Sequence, residues 1–225
     1  MHGNDHSHPH PQAAPATQGR TISWASHYDL VVKLLSFGRE NALRSRTLRQ
    51  AAISSGESVL DVGCGTGTLT LLAKTQTGTA GNVHGIDASP EMIAVARQKS
   101  VQQKAEVDFQ TGVIEALPFS DGTFDVVLSS LMFHHLPPDL KQRGLAEIHR
   151  VLKPGGRLLV VDMARPRTLA QRLTMFTLVH GGLSGDVSDL RPLMIALGYQ
   201  GSQTGSIWGS IGFVQASRSP AQIPA

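Results

Sequence analysis

"VLDVGCGTGTLT", residues 59–70, is an apolar run that passes without a break into three glycines, Gly63, Gly65 and Gly67. Val59, Leu60 and Val62 suit a buried strand, and the leucines and threonines after Gly67 suit a helix. Between a strand and a helix, glycines let the backbone turn tightly and come close to a ligand. A helix starting near Thr68 adds amides with no partner inside the helix. In open α/β sheets this junction lies at the carboxyl edge, where ligands bind.

Working outward, short β-rich runs recur at "SVLDVG", "NVHGID", "AEVDFQT", "FDVVLSS" and "GRLLVVDM". Each is expected to be followed by a helix, the signature of a parallel sheet with crossover helices. Ser89 caps the helix after the second run, Pro90 suits its first position and Glu91 complements its dipole. "KPGG", 153–156, is expected as a turn that stops the preceding helix before the fifth strand. "GYQGSQTGSIWGSIGFVQASR" reads as two β-runs around Gly205, a hairpin that makes the last strand antiparallel. The fold class is therefore α/β, a Rossmann-like three-layer sandwich with a seven-stranded, mostly parallel sheet. Ahead of the first strand, Tyr28, Val31, Val32, Leu35, Leu43 and Leu48 recur at helical spacing with an interruption near Gly38, which predicts two helices.

The 225 residues suffice for one α/β domain. Residues 1–20 hold almost no large apolar side chain and cannot offset the entropy of ordering, so a disordered His/Pro-rich tail is expected. Its His2, His6, His8 and His10 read as solvated side chains with at most incidental affinity for a transition metal. Residues 21–217 form the single domain with an N-terminal helical lid, and 218–225 a loose end. No stretch matches the roughly 20 apolar residues of a membrane span. The N-terminus lacks the basic start and apolar centre of a secretory signal. Cys64 is the only cysteine, so no internal disulfide and no cysteine cluster for zinc can form. A cytoplasmic protein without a metal site is expected. The net charge of +3 is scattered, which argues against nucleic-acid binding.

The spacing of the glycines is G-x-G-x-G, one residue shorter than the dinucleotide pattern, and a lone glycine pattern is a weak signal. Asp87, at the end of the second β-run, strengthens it. An acidic side chain there can accept the hydroxyl protons of a ribose, so an adenosine-containing ligand fits.

"VLDVGCGTGTLT", "VHGIDASPEMIAVAR", "GVIEALPFSDGTFDVVLSSLMFHHL" and "EIHRVLKPGGRLLVVD" resemble, in order, the motifs of the class I S-adenosylmethionine-dependent methyltransferases. The chain is similar to their small-molecule branch, which includes the ubiquinone and menaquinone biosynthesis methyltransferases, over residues 21–217. "WASHYDLVVKLLSFGRE", 24–40, resembles that branch's lead-in helix. The resemblance implies S-adenosylmethionine as cofactor and S-adenosylhomocysteine as product. It places Asp61, Gly63 and Gly65 along the methionine end, with Asp61 near its ammonium group. Asp87 would hold the ribose, with Ala88 and Met92 close to the adenine. Val113 and Ile114 would flank the adenine from the third strand, and Ser129 or Ser130 would face methionine or substrate. Where many relatives have an aspartate this chain has Val113, which removes one acceptor for the adenine amino group.

The sulfonium is already a good leaving group, so positioning supplies much of the rate. His134 and His135 follow the fourth strand and are the candidate general bases, with His134 and Tyr28 the candidate substrate contacts. The resembled family often has "HHL" there as part of the pocket wall, which is the favoured reading of the two histidines, and a packing role for Tyr28 is equally open. "SSLMFHHLPP" has no acidic cluster for metal-assisted catechol methylation, and Pro137 and Pro138 come too late for a nucleic-acid amino methyltransferase. One cysteine cannot serve arsenite methylation. Residues 166–198 are expected to form a helix, a Gly-rich loop and a second helix that select the substrate, with Met163, Met175, Phe176 and Met194 in the core.

The expected function is methyl transfer to a small-molecule acceptor by a monomer or homodimer. The alternatives are a protein that binds S-adenosylmethionine or S-adenosylhomocysteine without transfer, or a transferase or cyclase using the cofactor differently.

Overall fold

The computed structural model describes residues 40–166 and 186–220. The tail over 1–20, Tyr28, the first expected helix, the segment with Met175 and Phe176, and the last residues of the loose end lie outside the described residues.

Helix α1, Glu40–Ala51, leads into β1, Val59–Val62, and the Gly-rich turn into α2, Thr68–Thr77. Then follow β2 (Val83–Asp87), α3 (Pro90–Gln103), β3 (Asp108–Thr111), β4 (Phe124–Ser130), α4 (Pro138–Val151), β5 (Leu152–Met163), α5 (Leu190–Ala196), β6 (Tyr199–Trp208) and β7 (Ile211–Arg218). Among the described residues these strands form one seven-stranded sheet in the order β3-β2-β1-β4-β5-β7-β6. β1 to β5 are parallel, and β7 runs antiparallel to both β5 and β6. The sheet and its antiparallel last strand are as the sequence leads one to expect. The strand order reverses between β1 and β4, so a crevice opens there at the carboxyl ends.

All of β1 is buried because both faces of the sheet are covered. On one face Leu60, Val62, Val127, Leu158 and Val160 pack with Leu145 and Ile148 of α4 and Leu190 and Met194 of α5. On the other, Val59, Val126, Leu128, Leu159 and Val161 pack with Leu48 of α1 and Leu69 and Ala73 of α2. A smaller cluster joins Ile93 and Ala96 of α3 to Leu71 and Phe109. Ser89 caps α3 as expected, its hydroxyl accepting from Met92 N, and Pro90 opens the helix.

Three expectations need correction. No helix follows β3: residues 112–123 make only an isolated bridge between Val113 and Ala116 before β4. Gly112, Pro118 and the Asp121–Gly122 turn interrupt any helical period there. "KPGG" is not a free turn, because β5 begins at Leu152 and the tetrapeptide is taken up as an irregularity in the β4–β5 pairing. The hairpin turns at Gly209 and Ser210. Gly205 instead lies within β6 opposite Phe213, whose ring a Cβ at 205 would meet at 2.5 Å.

Candidate functional site

The Gly-rich loop leaves β1 with Gly63, Gly65 and Gly67 all at positive φ, between 53° and 76°. Gly67 caps α2 without a side-chain bond to the helix amides, which leaves that terminus electropositive. The loop is pinned to β2 from two sides. Gly63 N and Cys64 N both donate to Ile86 O, at 2.8 and 3.0 Å, and Gly65 N donates to Asp87 Oδ2 at 2.9 Å. Asp87 Oδ1 accepts from Ser89 N at 2.9 Å. Burial raises the Asp87 carboxyl above its ordinary value, and the amides of Ser89, Gly65 and Ala88 oppose the rise.

Against this loop lies a cavity of about 100 Å³, walled by Asp61, Gly63, Cys64, Gly65 and Thr66, by Ser130 and Leu131 at the end of β4, and by Glu40, Leu43 and Arg44 of α1. Asp61 is 1% exposed and accepts from Thr70 Oγ1 of α2 at 2.6 Å. Burial pushes its carboxyl up to about 7, the Thr70 bond opposing and the nearby Asp87 charge adding to the rise. Burial likewise pushes the Cys64 thiol up, helped by the charges of Asp61 and Asp87. Leu131 closes β4 at φ 56°, a left-handed conformation that costs a leucine on the order of 1–3 kcal/mol. Its amide is held by Val161 O at 2.8 Å, and this reversal sends Ser130 and Leu131 to the cavity.

The other expected residues are less uniform. Ser129 points to the opposite face from Ser130, is 1% exposed, and its hydroxyl makes no hydrogen bond among the described residues. Ala88 sits half-buried in the β2–α3 turn. Met92 is 3% exposed and belongs to the core side of α3. Val113 and Ile114 come after β3 has ended at Thr111, not within it. The Ile114 side chain packs beneath α4 against Gly144, so any contact it makes at the carboxyl edge is through its backbone.

His134 and His135 form a short 3-10 turn before α4, their rings 3.9 Å apart. Asp162, at the end of β5, is 2% exposed and receives His134 N at 3.0 Å and Met163 N at 2.7 Å. His134 Nδ1 lies 2.6 Å from Asp162 Oδ1. A carboxylate only accepts, so Nδ1 carries a proton, and in the neutral ring Nε2 is the acceptor. His134 and Asp162 line a second cavity of about 170 Å³, with Phe133, Lys141, Met163 and Leu190 among its walls.

Asp162, Thr70, Glu40 and Arg44 were not picked out from sequence. An acidic residue at the carboxyl end of a parallel strand was the available signal for Asp162. Among the described residues no group of three or more His, Cys, Asp or Glu could hold a metal ion, and no helix is long and apolar enough to cross a membrane.

Residues 59–156 match the model of a methyltransferase domain. The chain is similar to the demethylmenaquinone methyltransferase of Thermus thermophilus, 39% identical over 142 residues, which are 63% of each chain. The corresponding enzyme of Lactiplantibacillus plantarum is 36% identical over 151 residues, 66% of this chain and 63% of the relative. The chain thus spans a little over three-fifths of the length of those curated relatives. In fold it is similar to a SAM dependent methyltransferase from Aquifex aeolicus, with TM-score 0.67 at 21% identity over 84% of this chain and 97% of the other. It is also similar to the [4+2]-cyclase SpnF, with TM-score 0.64 at 19% identity over 80% of each.

Proposed function

We propose that this chain is a methyltransferase that binds S-adenosylmethionine against the 63–67 loop and transfers its methyl group to a small-molecule acceptor. One observation carries the reading: a glycine loop fixed to Asp87 through Gly65 N, open to a cavity that contains the buried Asp61. The residues suit such a ligand. The bare backbone of Gly63 and Gly65 admits a chain in close approach. A carboxylate offers about four acceptor positions, so Asp87 keeps capacity for a ribose hydroxyl beside its amide bonds. Asp61 offers a carboxylate to an ammonium group. Ala88, Met92, Val113 and Ile114 belong to the segments that would border the adenine, and Ser129 or Ser130 to the strand facing methionine.

When bound, the sulfonium supplies an activated methyl group. Asp162 holds His134 in the tautomer with Nε2 unprotonated, and Nε2 takes the proton that an acidic hydroxyl on the acceptor gives up. The developing imidazolium is stabilised by the Asp162 carboxylate 2.6 Å away. His135 walls the turn beside it, and Tyr28 remains a candidate substrate contact. The names of the relatives favour a quinone-ring acceptor, in a reducing compartment that suits the single thiol, with the enzyme a monomer or homodimer.

The test is incubation with methyl-labelled cofactor and either a demethylated naphthoquinol or a metabolite extract. Product gaining one labelled methyl supports transfer. Tight cofactor binding with no labelled product in either case would favour a binding protein or a cyclase-like use of the fold. Calorimetry that shows NAD binding and no response to S-adenosylmethionine would overturn the cofactor.

A further inference from the structure

The cavity at the Gly-rich loop contains an ion pair that the family motifs do not include. Arg44 Nη1 donates to Glu40 Oε2 at 3.0 Å and Nη2 to Glu40 Oε1 at 3.4 Å. Both residues line the cavity together with Asp61. Their side chains are only 19% and 15% exposed, so this is not the solvated i,i+4 pair of an ordinary helix surface. A guanidinium carries five N–H donors in a rigid fork. Glu40 occupies one edge of it, and Arg44 makes no other hydrogen bond or ion pair among the described residues.

A cavity that contains a buried carboxylate at Asp61 and a guanidinium with unused donors at Arg44 is complementary to a group carrying both charges, an α-amino acid. We propose that Arg44 receives the α-carboxylate of the cofactor's methionine end while Asp61 receives its ammonium, and that Glu40 fixes the guanidinium in position. This rests on the assignment of S-adenosylmethionine to the loop. Paired, charge-assisted bonds to a carboxylate are the strong class of hydrogen bond and a geometry that lysine cannot reproduce. Arg44 is therefore a binding residue, contributed by α1, and α1 is an integral wall of the site.

The experiment titrates the full chain and its Arg44→Gln and Arg44→Lys variants with S-adenosylhomocysteine and with 5′-methylthioadenosine, which keeps the adenosine and thioether but lacks the amino-acid end. Melting temperature is followed in parallel. Arg44→Gln is expected to weaken S-adenosylhomocysteine by about 10- to 100-fold and to leave 5′-methylthioadenosine within about twofold. Arg44→Lys should fall between the two, because it keeps the charge and loses the fork. Unchanged binding of both ligands by the variants, or a parallel loss of both, overturns the proposal, since either shows that Arg44 does not read the carboxylate. If the unsubstituted protein binds neither ligand, the cofactor assignment itself fails and the proposal with it.

Discussion

Asp61 has the most environment-dependent charge in the site. Its carboxyl is pushed up to about 7 from 3.8 in the folded, ligand-free protein. A raised folded value means that its contribution to stability is complete below pH ~4 and is lost as pH rises through ~7. Against an Asp61→Asn variant, the unsubstituted protein should therefore lose on the order of a few kcal/mol between those limits. Denaturation curves of both proteins across the range check this, and identical pH slopes would show that Asp61 ionises as in water. A ligand ammonium would draw Asp61 into its charged form, so binding near pH 6.5 should release a proton and give a buffer-dependent enthalpy. The glycines divide just as sharply. A Cβ at Gly67 would meet the Phe109 ring at 2.6 Å and Ala96 Cβ at 2.8 Å, whereas at Gly65 it would meet nothing within 4 Å. Gly67→Ala should lower the melting temperature severely. Gly65→Val should fold, at a backbone cost of about 1–2 kcal/mol, and lose S-adenosylhomocysteine binding. Parental affinity in Gly65→Val would remove this loop from the site.

Where two elements meet, the 131–135 segment is fastened to the end of β5 by the Leu131 amide on Val161 O and by the Asp162 carboxylate. Asp162→Asn preserves its shape but offers His134 Nδ1 a group that can donate, so the base role proposed for Nε2 would be lost. We expect kcat to fall about 100-fold or more with the KM for S-adenosylmethionine nearly unchanged. Steady-state kinetics test this, and an unaltered kcat would show that His134 only walls the pocket. The way Asp162 was missed shows what sequence can convey. Strand-turn-helix junctions are written locally, in the glycines after Val62 and in Ser89-Pro90, because turns and caps are made by consecutive residues. The His134–Asp162 and Arg44–Asp61 juxtapositions join residues far apart in the chain, and only the strand register and the seating of α1 bring them together. Arg157 contributes to that seating, through Ala51 O and Ala52 O at 2.7 Å each and two bonds to Glu57. The same limit explains the missing helix after β3. β-like and helix-like stretches alternate in the sequence, and nothing in "GVIEALPFSDGT" announces that one crossover is a bare loop.

Across the whole molecule, the hairpin of β6 and β7 completes the sheet, and its fit is set by Gly205 beneath the Phe213 ring. Gly205→Val would force that ring off its packing with α1, where Phe213 shares a cluster with Leu48 and Ile207. Overpacking of this kind costs about 1–3 kcal/mol. Chemical denaturation should report it as an earlier midpoint; a parental midpoint would mean that β6 is not held through Phe213. The placement of β7 also governs how the protein is made. β5 ends at Met163, but the strand that pairs with its free side begins only at Ile211. At ~5–20 residues per second of synthesis, the nascent chain carries Leu158, Leu159, Val160 and Val161 on an open edge for a time on the order of seconds. An unpaired apolar edge is a template for pairing with other chains. The ribosome-bound intermediate, rather than the finished protein, is therefore the species most in need of a chaperone.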